Sequence, residues 1–225
     1  MTVDPQPRRF DSRAGSQIRR PRIAILIFDD VEVLDFAGPF EVFGVARDPS
    51  GDLACEVVTV ALAAGAIVAR NGLKVVPHCT AADLGVADML VVPGGMGTRR
   101  EMTNPAMLDF IRSTSNAASL TLSVCTGSLL LGAAGLLAGL SATTHRDAMD
   151  ELRDLNCGVN IYPDSRIVDN GRIVTSAGIS AGIDAALYVI ARLFGDLSAA
   201  ETARYMQYDW NHRSIDGTSI AKGDR

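Results

Sequence analysis

The chain has 225 residues, of which 48% are hydrophobic and 21% charged, a composition typical of one globular domain with a substantial core. Its formal net charge of -5 provides no broad basic surface, which argues against specific nucleic-acid binding. The longest early apolar run, residues 23–28, is far shorter than the roughly 20 residues that a membrane helix needs. These observations predict a protein whose partners include neither nucleic acid nor a membrane.

Both ends of the chain differ in composition from its middle. Residues 1–21 are rich in arginine and lack an apolar signal region, which predicts a solvated, mobile tail. One domain is expected over residues 22–210, followed by a polar C-terminal tail at 211–225. The four cysteines, at positions 55, 79, 125 and 157, have no CxxC spacing, and no export signal is recognised. Reduced thiols, a cytoplasmic location and no metal site are therefore expected.

Apolar, β-rich runs alternate along the chain with segments of helical composition. Strands are predicted at residues 23–28, 55–62, 89–92, 120–124 and 141–144, and helices at 36–46, 105–118, 126–137, 147–155, 181–194 and 198–208. A short strand is expected between Asn71 and Pro77, and the turn residues 169–171 predict a tight hairpin. The alternation predicts an α/β fold, namely a doubly wound, mainly parallel, flavodoxin-like sheet.

Cys125 stands at a predicted junction between a strand and a helix. It follows the apolar run 120–124, and the small residues Ser123 and Gly127 flank it as a sharp nucleophile elbow requires. The positive end of the following helix is expected to lower the pKa of the thiol and to make it the most reactive of the four. The alternative is a buried structural cysteine, which behaves as a small hydrophobic residue.

Ligands of open α/β sheets collect at the carboxyl ends of the strands. Residues 29–39 follow the first predicted strand, and Gly94, Gly95 and Gly97 follow the strand at 89–92. Neither a dinucleotide-binding G-x-G-x-x-G nor a P-loop occurs, so no nucleotide cofactor is predicted. We expect the N–H groups of this glycine loop, that of Gly95 in particular, to lie near Cys125 and stabilise negative charge, with Thr126 in support. A plain turn is the alternative.

Five segments together resemble one protein family: residues 33–43, 92–95, 124–128, 142–145 and 175–184. They look like the ThiJ/PfpI superfamily, which has the type 1 glutamine amidotransferase-like fold, and within it like the isonitrile (isocyanide) hydratase branch. The resemblance covers about residues 22–210. It implies that Cys125 is the nucleophile, that Asp35 is the carboxyl group beside it, that no cofactor is needed and that the protein is a homodimer.

Two positions limit what the resemblance implies. Peptidase-like members of the superfamily have a histidine directly after the nucleophile, whereas this chain has Thr126, which argues against a peptidase-type pair. His145 falls where a histidine recurs among relatives, and it is taken as a pocket or structural residue first and a base second. Asp35 has an alternative role as the cap of a helix that begins near Phe36.

The residues and the resemblance together predict an enzyme that adds water to a small organic isocyanide and yields an N-substituted formamide. Cys125 would form a thioimidate, and Asp35 would supply and retrieve protons. The competing function is a ligand- or redox-sensing module, because the N-terminal domains of many AraC-type transcription regulators resemble the same branch. A hydrolase or lyase acting on another small electrophile, such as a 2-oxoaldehyde, is a further alternative.

Overall fold

The computed structural model describes residues 19–210 and the backbone of residues 220–222. The strands are β1 (Arg22–Leu26), β2 (Glu56–Ala61), β3 (Ile67–Val68), β4 (Lys74–Val75), β5 (Cys79–Thr80), β6 (Met89–Val92), β7 (Leu120–Val124), β8 (Ser141–Ala142), β9 (Asn160–Ile161), β10 (Ile167–Asp169), β11 (Ile173–Ser176) and β12 (Ile220–Lys222). The helices are α1 (Val33–Val45), α2 (Thr98–Glu101), α3 (Pro105–Ala117), α4 (Gly127–Ala133), α5 (Met149–Asp154), α6 (Ala181–Phe194) and α7 (Asp196–Tyr205).

Eight strands form the central sheet, in the order β12-β10-β11-β7-β6-β1-β2-β5. All neighbouring pairs are parallel except β10 and β11. The central strands β6 and β7 are buried along their whole length, as expected for parallel strands that are covered by helices on both faces. The predicted doubly wound, mainly parallel sheet is confirmed.

Local sequence signals explain the elements whose ends match the prediction. Asn104 caps α3 by accepting a hydrogen bond from the N–H of Ala106, and Pro105 occupies the first helical position. The predicted hairpin joins β10 to β11, where the carboxylate of Asp169 accepts a hydrogen bond from the N–H of Gly171 at 2.6 Å. Gly171 adopts φ +86°, which suits glycine.

Of the helices that differ from their predicted bounds, α1 and the helix after Cys125 bear on the site, and α5 and α7 differ as well. The first begins at Val33 instead of Phe36, because Glu32 donates its N–H to the carbonyl of Gly94 and starts the helical turn early. Pro39 consequently lies inside α1. The helix after Cys125 ends at Ala133, four residues early, because Gly135 turns the chain at φ +76°.

The predicted strand at 141–144 lies outside the main sheet, since β8 pairs only with β9 in a separate two-stranded sheet. The C-terminal tail expected at 211–225 contains the short strand β12, which pairs in parallel with β10. An edge strand offers unpaired backbone groups, and this explains why a polar segment joins the sheet there. The predicted N-terminal tail lies mostly outside the described residues, and Arg19 forms an ion pair with Asp88.

Candidate active site

Cys125 occupies a strained turn between β7 and α4. Its φ of +56° is uncommon for a residue other than glycine and is typical of functional sites. Its N–H approaches the carbonyls of Ser176 and Ala177, both at 3.2 Å, and its own carbonyl accepts the hydroxyl of Thr144 at 3.0 Å. A Cβ at Gly127 would lie 2.0 Å from the carbonyl oxygen of Val92, so the turn requires glycine there. The geometry is that of the predicted elbow.

Asp35 is fully buried in the first turn of α1, close to Cys125. Its Oδ2 accepts a hydrogen bond from the N–H of Gly94 at 3.0 Å. Its Oδ1 is buried without a hydrogen bond of ordinary geometry, and the carboxyl group interacts further with the thiol of Cys125 and the N–H of Ile179. Asp35 does not cap α1, which begins two residues before it, so the capping alternative is wrong.

Burial raises the pKa of Asp35 to about 7. The negative charge of Glu32 raises it further, whereas hydrogen bonds from the N–H of Gly94, the thiol of Cys125 and the N–H of Ile179 lower it. The carboxyl group therefore titrates near neutral pH, where it can both accept and donate a proton.

Burial also raises the pKa of Cys125, to about 12. The charge of Asp35 acts in the same direction, whereas the N–H groups of Thr126 and Ile179 lower the pKa. The expectation of a lowered thiol pKa is therefore wrong. The following helix, α4, has only seven residues, and its positive end does not outweigh burial beside a carboxylate. At rest the pair is a neutral thiol next to a carboxyl group that exchanges its proton.

Ile179 supplies an amide that the sequence analysis missed. Its N–H interacts with both the sulfur of Cys125 and the carboxyl group of Asp35. Its φ is +54°, a strained conformation for a β-branched residue. Because β11 lies beside β7 in the sheet, the residues after β11 end next to the elbow, and this neighbour relation is the signal that sequence alone lacked.

The glycine loop serves the site differently from the expectation. The N–H of Gly95 donates to the hydroxyl of Thr126 at 3.0 Å, and that of Gly94 donates to Asp35. The expected role of the Gly95 amide beside the sulfur is thus corrected, because side-chain acceptors already occupy both amides. Thr126 supports the site in two ways: its hydroxyl oxygen accepts the N–H of Gly95, and its own N–H donates to the sulfur of Cys125.

His145 has a structural position at the edge of the site. Its Nδ1 accepts a hydrogen bond from the N–H of Asp147 at 3.2 Å and thereby caps the short helical turn Arg146–Ala148. Its Cδ2 packs so closely on Gly178 that a Cβ there would lie 2.2 Å away. Within the described residues, no hydrogen bond joins His145 to Cys125 or Asp35. These contacts favour the structural role that the sequence placed first.

Over residues 19–210, no three His, Cys, Asp or Glu side chains are grouped as metal ligands would be. No helix in the described part of the chain has both the length and the apolar character to cross a membrane.

The fold and the strand–cysteine–helix elbow define a class of protein, and comparison with known families identifies it. The model of the DJ-1/PfpI family matches residues 21–192. The chain therefore belongs to the DJ-1/PfpI family, as the resemblance to ThiJ/PfpI proteins predicted.

Individual relatives are of more than one kind. The isonitrile hydratase of Pseudomonas putida is 38% identical over 186 residues, which cover 83% of this chain and 76% of that protein. The HTH-type transcriptional regulator GbdR of Pseudomonas aeruginosa is 28% identical, and the match covers 82% of this chain but only half of the regulator. A crystal structure of a ThiJ/PfpI family protein from Pseudomonas syringae superposes with a TM-score of 0.76 at 30% identity, covering 94% of this chain and 83% of that one.

Proposed function

We propose that this protein is an isonitrile hydratase, which adds water to a small organic isocyanide and yields an N-substituted formamide. The observation that carries the proposal is the buried pair of Cys125 and Asp35, in which the carboxyl group has a pKa of about 7. The similarity to the Pseudomonas putida isonitrile hydratase supports the same reaction. The pair supplies a nucleophile and a proton carrier within one site, as the reaction requires.

In the first step the sulfur of Cys125 bonds to the terminal carbon of the isocyanide. The carboxylate of Asp35 takes the thiol proton, which is necessary because a thiol with a pKa of about 12 contributes almost no thiolate at neutral pH. Asp35 passes that proton to the isocyanide carbon, whose lone pair accepts it as the C–S bond forms. The product is a neutral thioimidate, R–N=CH–S, on Cys125.

In the second step water adds to the thioimidate carbon. The carboxylate of Asp35 takes a proton from the water and passes it to the imine nitrogen, which gives R–NH–CH(OH)–S on Cys125 and leaves Asp35 as a carboxylate again. The C–S bond then breaks as the hydroxyl proton moves through Asp35 to the sulfur. The formamide R–NH–CHO leaves, and the free thiol is restored.

The N–H groups of Thr126 and Ile179 hold the reacting sulfur. Both favour negative charge on that atom, which develops as the thiol proton departs and again as the C–S bond breaks. Because their positions are fixed by backbone geometry, they need no rearrangement during the reaction.

Incubation of the purified protein with cyclohexyl isocyanide tests the proposal. We expect many equivalents of N-cyclohexylformamide per protein molecule, and rapid acid quenching should trap an adduct on Cys125 whose mass equals the added isocyanide. Both signals should disappear in Cys125→Ala and Cys125→Ser. No formamide across a varied panel of isocyanides, from folded protein with a free thiol, would refute the hydratase.

A non-catalytic sensing module is the second candidate, and the similarity to an HTH-type transcriptional regulator supports it. The raised pKa of Cys125 also fits a thiol that is quiescent at rest. A sensor would gain thermal stability on adding a ligand without turning it over. Turnover of a 2-oxoaldehyde in place of an isocyanide would instead indicate a hydrolase or lyase for another electrophile.

We further propose that the protein is a cytoplasmic homodimer. The described cysteines are all free, as is typical of a reducing compartment, and symmetric dimers are the commonest oligomers of globular proteins. Light scattering over a wide concentration range tests the dimer, and a constant monomer mass would refute it.

A further inference from the structure

Glu32 lies at the junction of the two segments that carry the proton-transfer group. Its N–H donates to the carbonyl of Gly94 at 2.9 Å, and its own carbonyl accepts the N–H of Asp35 at 3.2 Å. Glu32 immediately precedes α1, and its side chain is partly exposed. These backbone contacts hold Glu32 next to Gly94 and Asp35, and its negative charge acts on Asp35.

In the part of the chain that the structure describes, no ion pair compensates the carboxylate of Glu32. Within residues 19–210 it forms no ion pair or side-chain hydrogen bond, whereas three arginines around the site are already paired. Those pairs are Arg99 with Glu151, Arg100 with Asp30 and Glu101, and Arg166 with Asp184.

Three other charged residues lie near Glu32, namely Asp29, Asp30 and Arg70. Asp29 and Asp30 lie on the turn before Glu32, where Asp30 is paired with Arg100 and Oδ1 of Asp29 accepts the N–H of Val68. Arg70 reaches this turn through its N–H, which donates to the carbonyl of Val31, but within the described residues its side chain forms no ion pair with Glu32. Among these carboxylates, Glu32 is the one whose charge acts on Asp35 beside Cys125.

Large apolar side chains are exposed on the segments that surround Cys125 and Asp35. Leu34 precedes Asp35 and is 37% exposed, Met96 follows Gly95 and is 55% exposed, and Ile179 is 40% exposed. Apolar groups around a site with few polar contacts are typical of pockets for apolar ligands.

We propose that Glu32 selects the substrate by charge, so that the site takes isocyanides with neutral, apolar substituents and rejects those that carry a carboxylate. The inference rests on the proposed function for its substrate. Its physical basis is Coulomb repulsion between Glu32 and an anionic substituent in a partly desolvated site, where such repulsion is stronger than in water.

A matched pair of substrates tests the selection during turnover. Methyl 4-isocyanobenzoate and 4-isocyanobenzoate share one ring and differ in charge. At low ionic strength and pH 8 we expect kcat/KM to be about 10-fold lower for the anion, and Glu32→Gln should reduce that ratio to about threefold or less. The control Glu41→Gln makes the same charge change on the exposed side of α1, nine residues further on, and should leave the ratio unchanged.

A second measurement is independent of turnover. Neutral iodoacetamide and anionic iodoacetate both alkylate the thiolate of Cys125, so the ratio of their rates cancels the thiolate fraction and reports the repulsion of the anion. Peptide mapping gives the rates at Cys125. We expect Glu32→Gln to lower the ratio of iodoacetamide to iodoacetate about fivefold and Glu41→Gln to leave it unchanged.

Salt tests, without a variant, whether the discrimination between the two reagents is electrostatic. Raising ionic strength from 0.1 M to 1 M shortens the Debye length from about 10 Å to about 3 Å, and the wild-type alkylation ratio should fall accordingly. A ratio unaffected by Glu32→Gln would overturn charge selection by Glu32, even where salt lowers the ratio. If Glu32→Gln lowers the alkylation ratio but the protein makes no formamide, charge selection by Glu32 stands and the hydratase is rejected.

Discussion

Asp35 and Cys125 affect each other's ionisation in opposite directions. The charge of Asp35 raises the pKa of the Cys125 thiol, whereas the thiol, as a hydrogen-bond donor, lowers the pKa of Asp35. The carboxyl group therefore ionises more easily than the thiol. When the pair holds one proton between them, that proton is on the sulfur and Asp35 is a carboxylate. Attack by sulfur must then be coupled to proton transfer through Asp35.

The first prediction concerns Asp35→Asn. Asparagine can still accept the hydrogen bond from Gly94, but it cannot move a proton. We expect the variant to fold and to lose about 100-fold or more in kcat, the usual scale for a positioned acid–base group. Steady-state kinetics measure the loss, and circular dichroism checks the fold. Retained turnover would show that Asp35 is not the proton carrier.

The same variant should make Cys125 more reactive towards alkylation. Removing the carboxylate removes a charge that raises the pKa of Cys125, so a larger fraction is thiolate at pH 8. We expect the rate of alkylation by iodoacetamide to rise about 10-fold in Asp35→Asn. Cys55 is an internal control, because burial is the main cause of its raised pKa and the charge of Asp35 is not among the causes. An unchanged or slower rate at Cys125 would contradict the repulsion.

Folding stability should depend on pH through Asp35. Its pKa is near 3.8 when exposed and about 7 in the folded protein, so between these values the folded state holds a proton that the unfolded state has lost. The free energy of unfolding contributed by this group therefore falls as pH rises from about 4 to about 7. Relative to wild type, Asp35→Asn should gain roughly 2–4 kcal/mol over that range. Urea unfolding at pH 4.5 and pH 8 measures the difference, and an equal stability gap at both pH values would contradict the raised pKa.

The sheet and the elbow could be predicted from sequence because their signals are local. The run before Cys125, the small residue Gly127 and the hairpin glycine Gly171 each specify a conformation through their own chemistry. The start of α1 could not be predicted in this way, because the backbone hydrogen bond from Glu32 to Gly94 joins segments that are distant along the chain.

The electrostatics of the site also depended on the tertiary structure. The motif at Cys125 suggested a lowered pKa from its helix, but the opposing effect comes from burial and from Asp35, which is 90 residues away. The role of Ile179 likewise depends on β11 lying beside β7. The family resemblance paired Cys125 with Asp35, whereas the electrostatic effect of that contact and the part played by Ile179 required the structure.

Thr126 provides a test of how the glycine loop is held. Thr126→Val keeps the shape of the side chain but removes the oxygen that accepts the N–H of Gly95 and the hydroxyl of Thr98. Leaving a buried N–H without an acceptor should cost about 1–3 kcal/mol and slow turnover. Thr126→Ser keeps the oxygen and should remain within about 1 kcal/mol of wild type. Equal stability of the two variants in urea unfolding would contradict the importance of this hydrogen bond.

Gly178 and His145 together test whether the histidine is structural. A Cβ at Gly178 would lie 2.2 Å from Cδ2 of His145, so Gly178→Ala must displace the adjoining residue Ile179 or the imidazole ring. We expect Gly178→Ala to cost about 1–3 kcal/mol and to lower kcat about 10-fold, because the N–H of Ile179 moves away from Cys125. Gly44→Ala is a matched control in open space within α1 and should be neutral or stabilise by up to about 1 kcal/mol.

If His145 acts only by packing and capping, His145→Ala alone should keep most of the turnover, and the double variant Gly178→Ala/His145→Ala should recover activity lost by Gly178→Ala. A loss of about 100-fold in His145→Ala, with no recovery in the double variant, would instead assign the histidine to the chemistry.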